Sequence, residues 1–156
     1  MALFKIKSHA KINLALNVTG KSRYLHKIES IVAFVNLHDE ILIKTINSDK
    51  HKISFVGKFS KNIAKNNTIS KLLELLDKGK FLNNKKFQIK INKRIPSKAG
   101  LGGGSMNAAN LLRYFVKKKI INISKKKLSE VSKLISSDVI LGLEPVNTIL
   151  TSKNKI

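Results

Sequence analysis

The sequence predicts an α+β domain, a mixed and mostly antiparallel sheet with helices packed on one face. Three observations predict it. Apolar residues in the first half recur with a period of two, and from about Asn67 the period lengthens to that of a helix. A glycine-rich stretch, "IPSKAGLGGGSMNAANLL" from Ile95 to Leu112, then separates a strand pattern from a helical one. With 156 residues, of which 42% are hydrophobic, the chain can bury one ordinary core.

"KINLALNV" places Ile12, Leu14, Leu16 and Val18 on one side, as a half-buried strand would. "SIVAFVNL" and "DEILIKTI" read as two β-branched strands joined through Asn36 to Asp39, and "HKISFVG" adds another. Beyond Asn67, the residues Ile69, Leu72, Leu73 and Leu76 fall at i, i+3, i+4 and i+7, an amphipathic helix. It ends in a turn-rich stretch, Gly79 to Asn84. "FQIKINK" alternates Phe87, Ile89 and Ile91 as a strand leading to Pro96. Ala108, Leu111, Leu112, Phe115 and Val116 then mark a helix beginning at Ser105 or its neighbour. "ISKKKLSEVSKLI" forms the last helix, with Ser124 as N-cap and Leu128, Val131, Leu134 and Ile135 as its buried face. "EPVNTILTSKNKI" lacks sustained periodicity and reads as a tail.

Composition narrows the function classes. The chain has no cysteine, which removes disulfides and cysteine metal sites. Its amino-terminal apolar residues are broken by Lys5, Lys7 and Lys11, so a signal peptide is not expected, and no apolar run reaches membrane-spanning length. A cytoplasmic protein is the expectation. The net charge of +22 invites a nucleic-acid or membrane-surface reading. Against it, only Arg23, Arg94 and Arg113 are arginines, and no aromatic residues interleave the lysines. The lysines fit solvated surface positions better.

A strand, a glycine turn and a helix start together converge backbone N–H groups on an anion, with the helix dipole favouring negative charge. Phosphate is the natural guest. Each such interaction contributes about 0.3 to 1 kcal/mol, so the loop must sum several donors. Two familiar phosphate loops do not fit. No lysine follows Gly104 as a Walker-type loop requires, and Ser105 occupies the third glycine of a dinucleotide fingerprint.

"PSKAGLGGGSMNAA" resembles the central motif of the GHMP small-molecule kinases, in the branch acting on diphosphocytidyl-methylerythritol. "AKINLALNVTGK", "HKIESIVAFVNLHDEI" and "LISSDVI" resemble further motifs of that branch in the same order, covering most of residues 8 to 140. The resemblance implies ATP bound by Pro96, Ser97, Lys98, Ala99, Gly100, Leu101, Gly102, Gly103, Gly104, Ser105 and Met106, with Mg2+ as the metal. It implies Lys11 and Asp138 as the pair activating a hydroxyl, which suits a lysine that keeps a carboxylate ionised. Asn13 and His26 are implied at the substrate, and Asn67 at adenine. Ser105 is either a ligand of Mg2+ or phosphate, or an N-cap.

The implied function is ATP-dependent phosphorylation of the 2-hydroxyl of 4-diphosphocytidyl-2-C-methyl-D-erythritol in non-mevalonate isoprenoid synthesis. Residues 1–143 correspond to the amino-terminal, ATP-binding domain of the family and 144–156 to an unmatched tail, the carboxy-terminal domain being absent. The apolar face which that domain covers predicts self-association. Two departures stand out. Leu25 replaces an aromatic ring expected to stack on cytosine, an interaction worth roughly 1 to 3 kcal/mol. Ser136 replaces a glycine, which predicts strain if that position has positive φ. The alternatives are a non-catalytic remnant that still binds nucleotide, and a basic protein of nucleic-acid or membrane surfaces.

Overall fold

The structure is a computed structural model that describes residues 3–21 and 26–150. Its elements are β1 (Leu3–Lys21), β2 (His26–Ile46), β3 (Lys52–Val56), α1 (Thr68–Lys78), β4 (Lys86–Asn92), α2 (Gly103–Lys117), α3 (Lys125–Ile135), a 3-10 helix (Ser137–Gly142) and β5 (Thr148–Leu150). The sheet order is β1-β2-β4-β3, with β5 also pairing β2. All pairings are antiparallel except β3 with β4, which α1 connects.

The core lies on one face of the sheet. Ile41 and Ile43 of β2 and Phe87, Ile89 and Ile91 of β4 point inward. They meet Leu72 and Leu76 of α1 and Leu111, Leu112 and Phe115 of α2. The opposite phase of β4, Gln88 and Lys90, is exposed, so the helices cover one face as expected. Asn67 starts α1 by accepting from the amides of Ile69 and Ser70 at 3.0 and 3.1 Å, while the Ser70 hydroxyl accepts from the Asn67 amide at 2.8 Å. Ser124 caps α3 as expected, accepting from the Lys127 amide at 3.2 Å. None of the helices is long and apolar enough to cross a membrane among the described residues.

Four expectations change. "SIVAFVNL" and "DEILIKTI" are one strand: His9 pairs with His38 and Lys11 with Phe34, so β2 inserts two extra residues where a turn was expected. That bulge absorbs the polar break without ending the ladder. Leu14, Leu16 and Val18 are 64%, 54% and 65% exposed, because no described element covers that end of the β1–β2 hairpin. Leu134 is also exposed, and the small Ser132 is buried in α3, its hydroxyl bonded to the Leu128 carbonyl at 2.8 Å. The expected tail contains a strand, Thr148 to Leu150 pairing with Ser30 to Val32. Three residues sufficed because β2 offered an unpaired edge there.

Candidate active site

The glycine loop joins β4 to α2. Lys98, Gly100 and Gly102 have φ of 61°, 72° and 66°. At Gly102, which is the N-cap of α2, a Cβ would lie 2.8 Å from Cγ of Lys11. At Gly103 it would lie 3.0 Å from Cγ2 of Ile95 and 3.2 Å from Nζ of Lys93. At Gly102 a side chain is thus opposed by both conformation and space, and at Gly103 by space. The Met106 amide makes the first helical bond, to the Gly102 carbonyl at 2.8 Å. The amides of Gly102 to Ser105 precede that bond, at the end of a helix where N–H groups lack intrahelical acceptors and suit an anion.

A cleft of about 330 Å³ opens over this cradle, lined by Pro96 to Ser105 on one side and by Phe55, Ile63, Asn67 and Thr68 on the other. Thr68 braces it, donating to the Gly104 carbonyl at 2.7 Å. Two sequence expectations need correction here. Met106 is fully buried against Val32 and Leu141 rather than in the cleft, because helical spacing turns it to the core. Ser105 is not the N-cap; it stands in the first turn and donates to the Ser136 hydroxyl at 3.1 Å. Asn67 lines the cleft, but its amide is committed to capping α1 and to the carbonyls of Ala64 and Lys65.

Lys11 and Asp138 come together, Nζ to Oδ2 at 3.3 Å. Lys11 is only 7% exposed, and its ammonium also donates to Asn13 Oδ1 at 3.2 Å. Its backbone amide donates to the Leu101 carbonyl at 3.1 Å, so β1 is tied directly to the loop. Asp138 is delivered by the 3-10 helix, where Gly142 lets the chain approach α2: a Cβ there would lie 2.6 Å from that of Ala109. Ser136 has φ of −168°, extended backbone open to any residue, so the strain expected from losing a glycine does not arise. The side chain of His26 and all of Leu25 lie outside the described residues.

Beneath the loop lies a polar cluster that the sequence reading missed. Asp39 is fully buried; its Oδ1 accepts from the amides of Arg94 and Ile95 at 2.7 and 2.9 Å. Its Oδ2 accepts from Asn107 Nδ2 at 2.8 Å and from the buried Lys93 ammonium. A signal was available. Asp39 continues the buried phase of Ile41 and Ile43, and Lys93 that of Phe87, Ile89 and Ile91. Glu40 pairs with Asn92, so one further step places Asp39 opposite Lys93.

Residues 67–144, half of the chain, match the GHMP kinases N terminal domain. The chain belongs to the GHMP kinase family. The match runs from the N-cap of α1 through the glycine loop to Asp138, the segment that carries most of the cleft. This GHMP kinase domain is 60% identical over its whole length to a 4-diphosphocytidyl-2-C-methyl-D-erythritol kinase of Pelagibacter ubique (strain HTCC1062), covering 56% of that protein. A protein of the same description from Finegoldia magna (strain ATCC 29328 / DSM 20472 / WAL 2508) is 34% identical, over 87% of this chain and 49% of its own. The chain therefore spans about half the length of the curated relatives it matches. The fold also matches a crystal structure of a 4-(cytidine 5'-diphospho)-2C-methyl-D-erythritol kinase, with TM-score 0.72 and 24% identity over 90% of this chain and 48% of that one.

Proposed function

We propose that this chain is the ATP-binding part of a cytoplasmic kinase that phosphorylates the 2-hydroxyl of 4-diphosphocytidyl-2-C-methyl-D-erythritol in non-mevalonate isoprenoid synthesis. The observation that carries the reading is the Lys11–Asp138 pair, 3.3 Å apart and tied to the glycine loop through the Lys11 amide. It brings a proton acceptor and a cation beside a phosphate cradle. Asp138 takes the hydroxyl proton, and Lys11 orients that carboxylate and steadies charge on the attacking oxygen. A bond forms from that oxygen to the γ-phosphorus as the bond to the β-phosphate oxygen breaks, releasing ADP. The amides of Gly102 to Ser105 hold the phosphates, and Asn13 orients the acceptor beside Lys11.

Mg2+ fits the donor set on chemical grounds. Ser105, Ser136 and Asp138 offer oxygens at the mouth of the loop, and no cluster of three or more acidic or histidine ligands occurs among the described residues. Such a set suits an ion held mainly by phosphate oxygens and water. When bound, it neutralises charge on the phosphates.

The test uses the chain with ATP, Mg2+ and the diphosphocytidyl substrate. Calorimetry is expected to detect ATP binding, and Asp138→Asn to lower kcat by about 10² to 10⁴ with little change in ATP affinity. The absence of ATP binding would sink the proposal. A second reading, nucleotide binding without turnover, is favoured by Leu25, which lacks a ring for the cytosine. ATP binding with no phosphorylated product would select it.

A further inference from the structure

We infer that Asp39 is a positioning residue of the glycine loop: one buried carboxylate clamps the two ends of loop 96–102 and so sets the amides at the start of α2. The inference rests on the nucleotide-cleft reading and adds to it a residue outside every glycine motif. The amides of Arg94 and Ile95 are the entrance to the loop, and Asn107 sits in α2 just beyond its exit. Asp39 bonds to both. Between them the backbone is poorly determined by itself, with Lys98, Gly100 and Gly102 at positive φ and residues 97 to 100 exposed.

The cluster is costlier than stability alone requires. Asn107 is 2% exposed and its Oδ1 has no partner among the described residues, although a buried acceptor left unpaired is unfavourable. Its orientation is dictated by Asp39, since only the amide NH2 can face a carboxylate. A buried ion pair can often be replaced by apolar residues without loss of stability. A charge that also bonds two successive loop amides and the following helix holds the loop in a way no apolar residue can.

The discriminating variant is therefore apolar: Asp39→Leu combined with Lys93→Met. Two reporters lie outside the cluster, the Lys11 amide on the Leu101 carbonyl and the Met106 amide on the Gly102 carbonyl. The expected result is a folded chain with a lowered thermal midpoint, since the Ile95 amide and the Asn107 NH2 lose their acceptor, with hydrogen exchange of both reporters accelerated at least about tenfold more than that of the α1 amides and a nucleotide Kd raised about tenfold or more, by the usual free-energy conversion. Parent-like exchange at both amides would overturn the inference. If the double variant fails to fold, Asp39→Asn is compared with Leu112→Ala, a core truncation away from the loop. Faster reporter exchange in Asp39→Asn alone upholds the clamp, and equal exchange in the two variants removes it. Exchange is read without nucleotide, so a parent chain that does not bind ATP overturns the functional reading while the exchange still decides Asp39.

Discussion

Gly102 carries two constraints, a positive φ and the packed stem of Lys11. Gly102→Ala is expected to destabilise the chain by about 1 to 2 kcal/mol from backbone conformation alone and to push Lys11 from Asp138. Chemical denaturation measures the first effect, and a lowered kcat the second. Lys98 is the converse, a lysine held at φ 61° in an exposed position. Lys98→Gly is expected to stabilise by about 0.5 kcal/mol, the relief of strain exceeding the added chain entropy. At this scale the glycine motif, Lys11 and Asp138 stand out in the sequence because their types and order resemble a family pattern, and the structure brings Lys11 and Asp138 together. Asp39, Lys93 and Asn107 were harder to find, since a charged residue in a strand is ordinarily read as solvated.

Helices were the most legible elements, because capping and the 3.6-residue period are local. Strands were less so: the break at Asn36 to Asp39 has the composition of a turn, and only the β1 register shows that a bulge absorbs it. At the far edge, His51 of the loop before β3 joins α1 to β4. Its Nδ1 accepts from the Phe87 amide at 3.0 Å, which leaves Nε2 to donate to Asp77 Oδ2 at 3.2 Å, and Lys86 also holds Asp77 at 2.6 Å. Burial lowers the His51 pKa below its ordinary 6.5, against the opposing pull of Asp77. A histidine whose pKa falls on folding contributes stability that is complete above about 6.5 and is lost as pH falls through the folded value. Urea unfolding is therefore expected to show stability declining below that pH, and His51→Gln to flatten the slope in the same window.

For the molecule as a whole, two surface properties oppose each other. The net charge of +22 keeps copies apart, and salt screens it. Leu14, Leu16, Val18, Ile31 and Ile149 are all exposed at the shared end of β1, β2 and β5. Self-association is expected to grow with added salt in sedimentation velocity, and Leu16→Lys to suppress it without changing ATP affinity. A sedimentation coefficient unchanged by salt and concentration would remove that expectation. Steep salt dependence of binding to random oligonucleotides would instead favour a nucleic-acid role.

The sequence by itself determined the fold class, the three α-helices among the described residues, the glycine loop and its family, since periodicity, capping and motif order are encoded within short windows. Tertiary structure alone decided which apolar faces are covered, that Met106 turns to the core and Ser136 is unstrained, and that Asp39 meets Lys93 beneath the loop. The last of these joins residues 54 positions apart, and which strand position lies opposite which is a matter of register that a single strand's pattern does not carry.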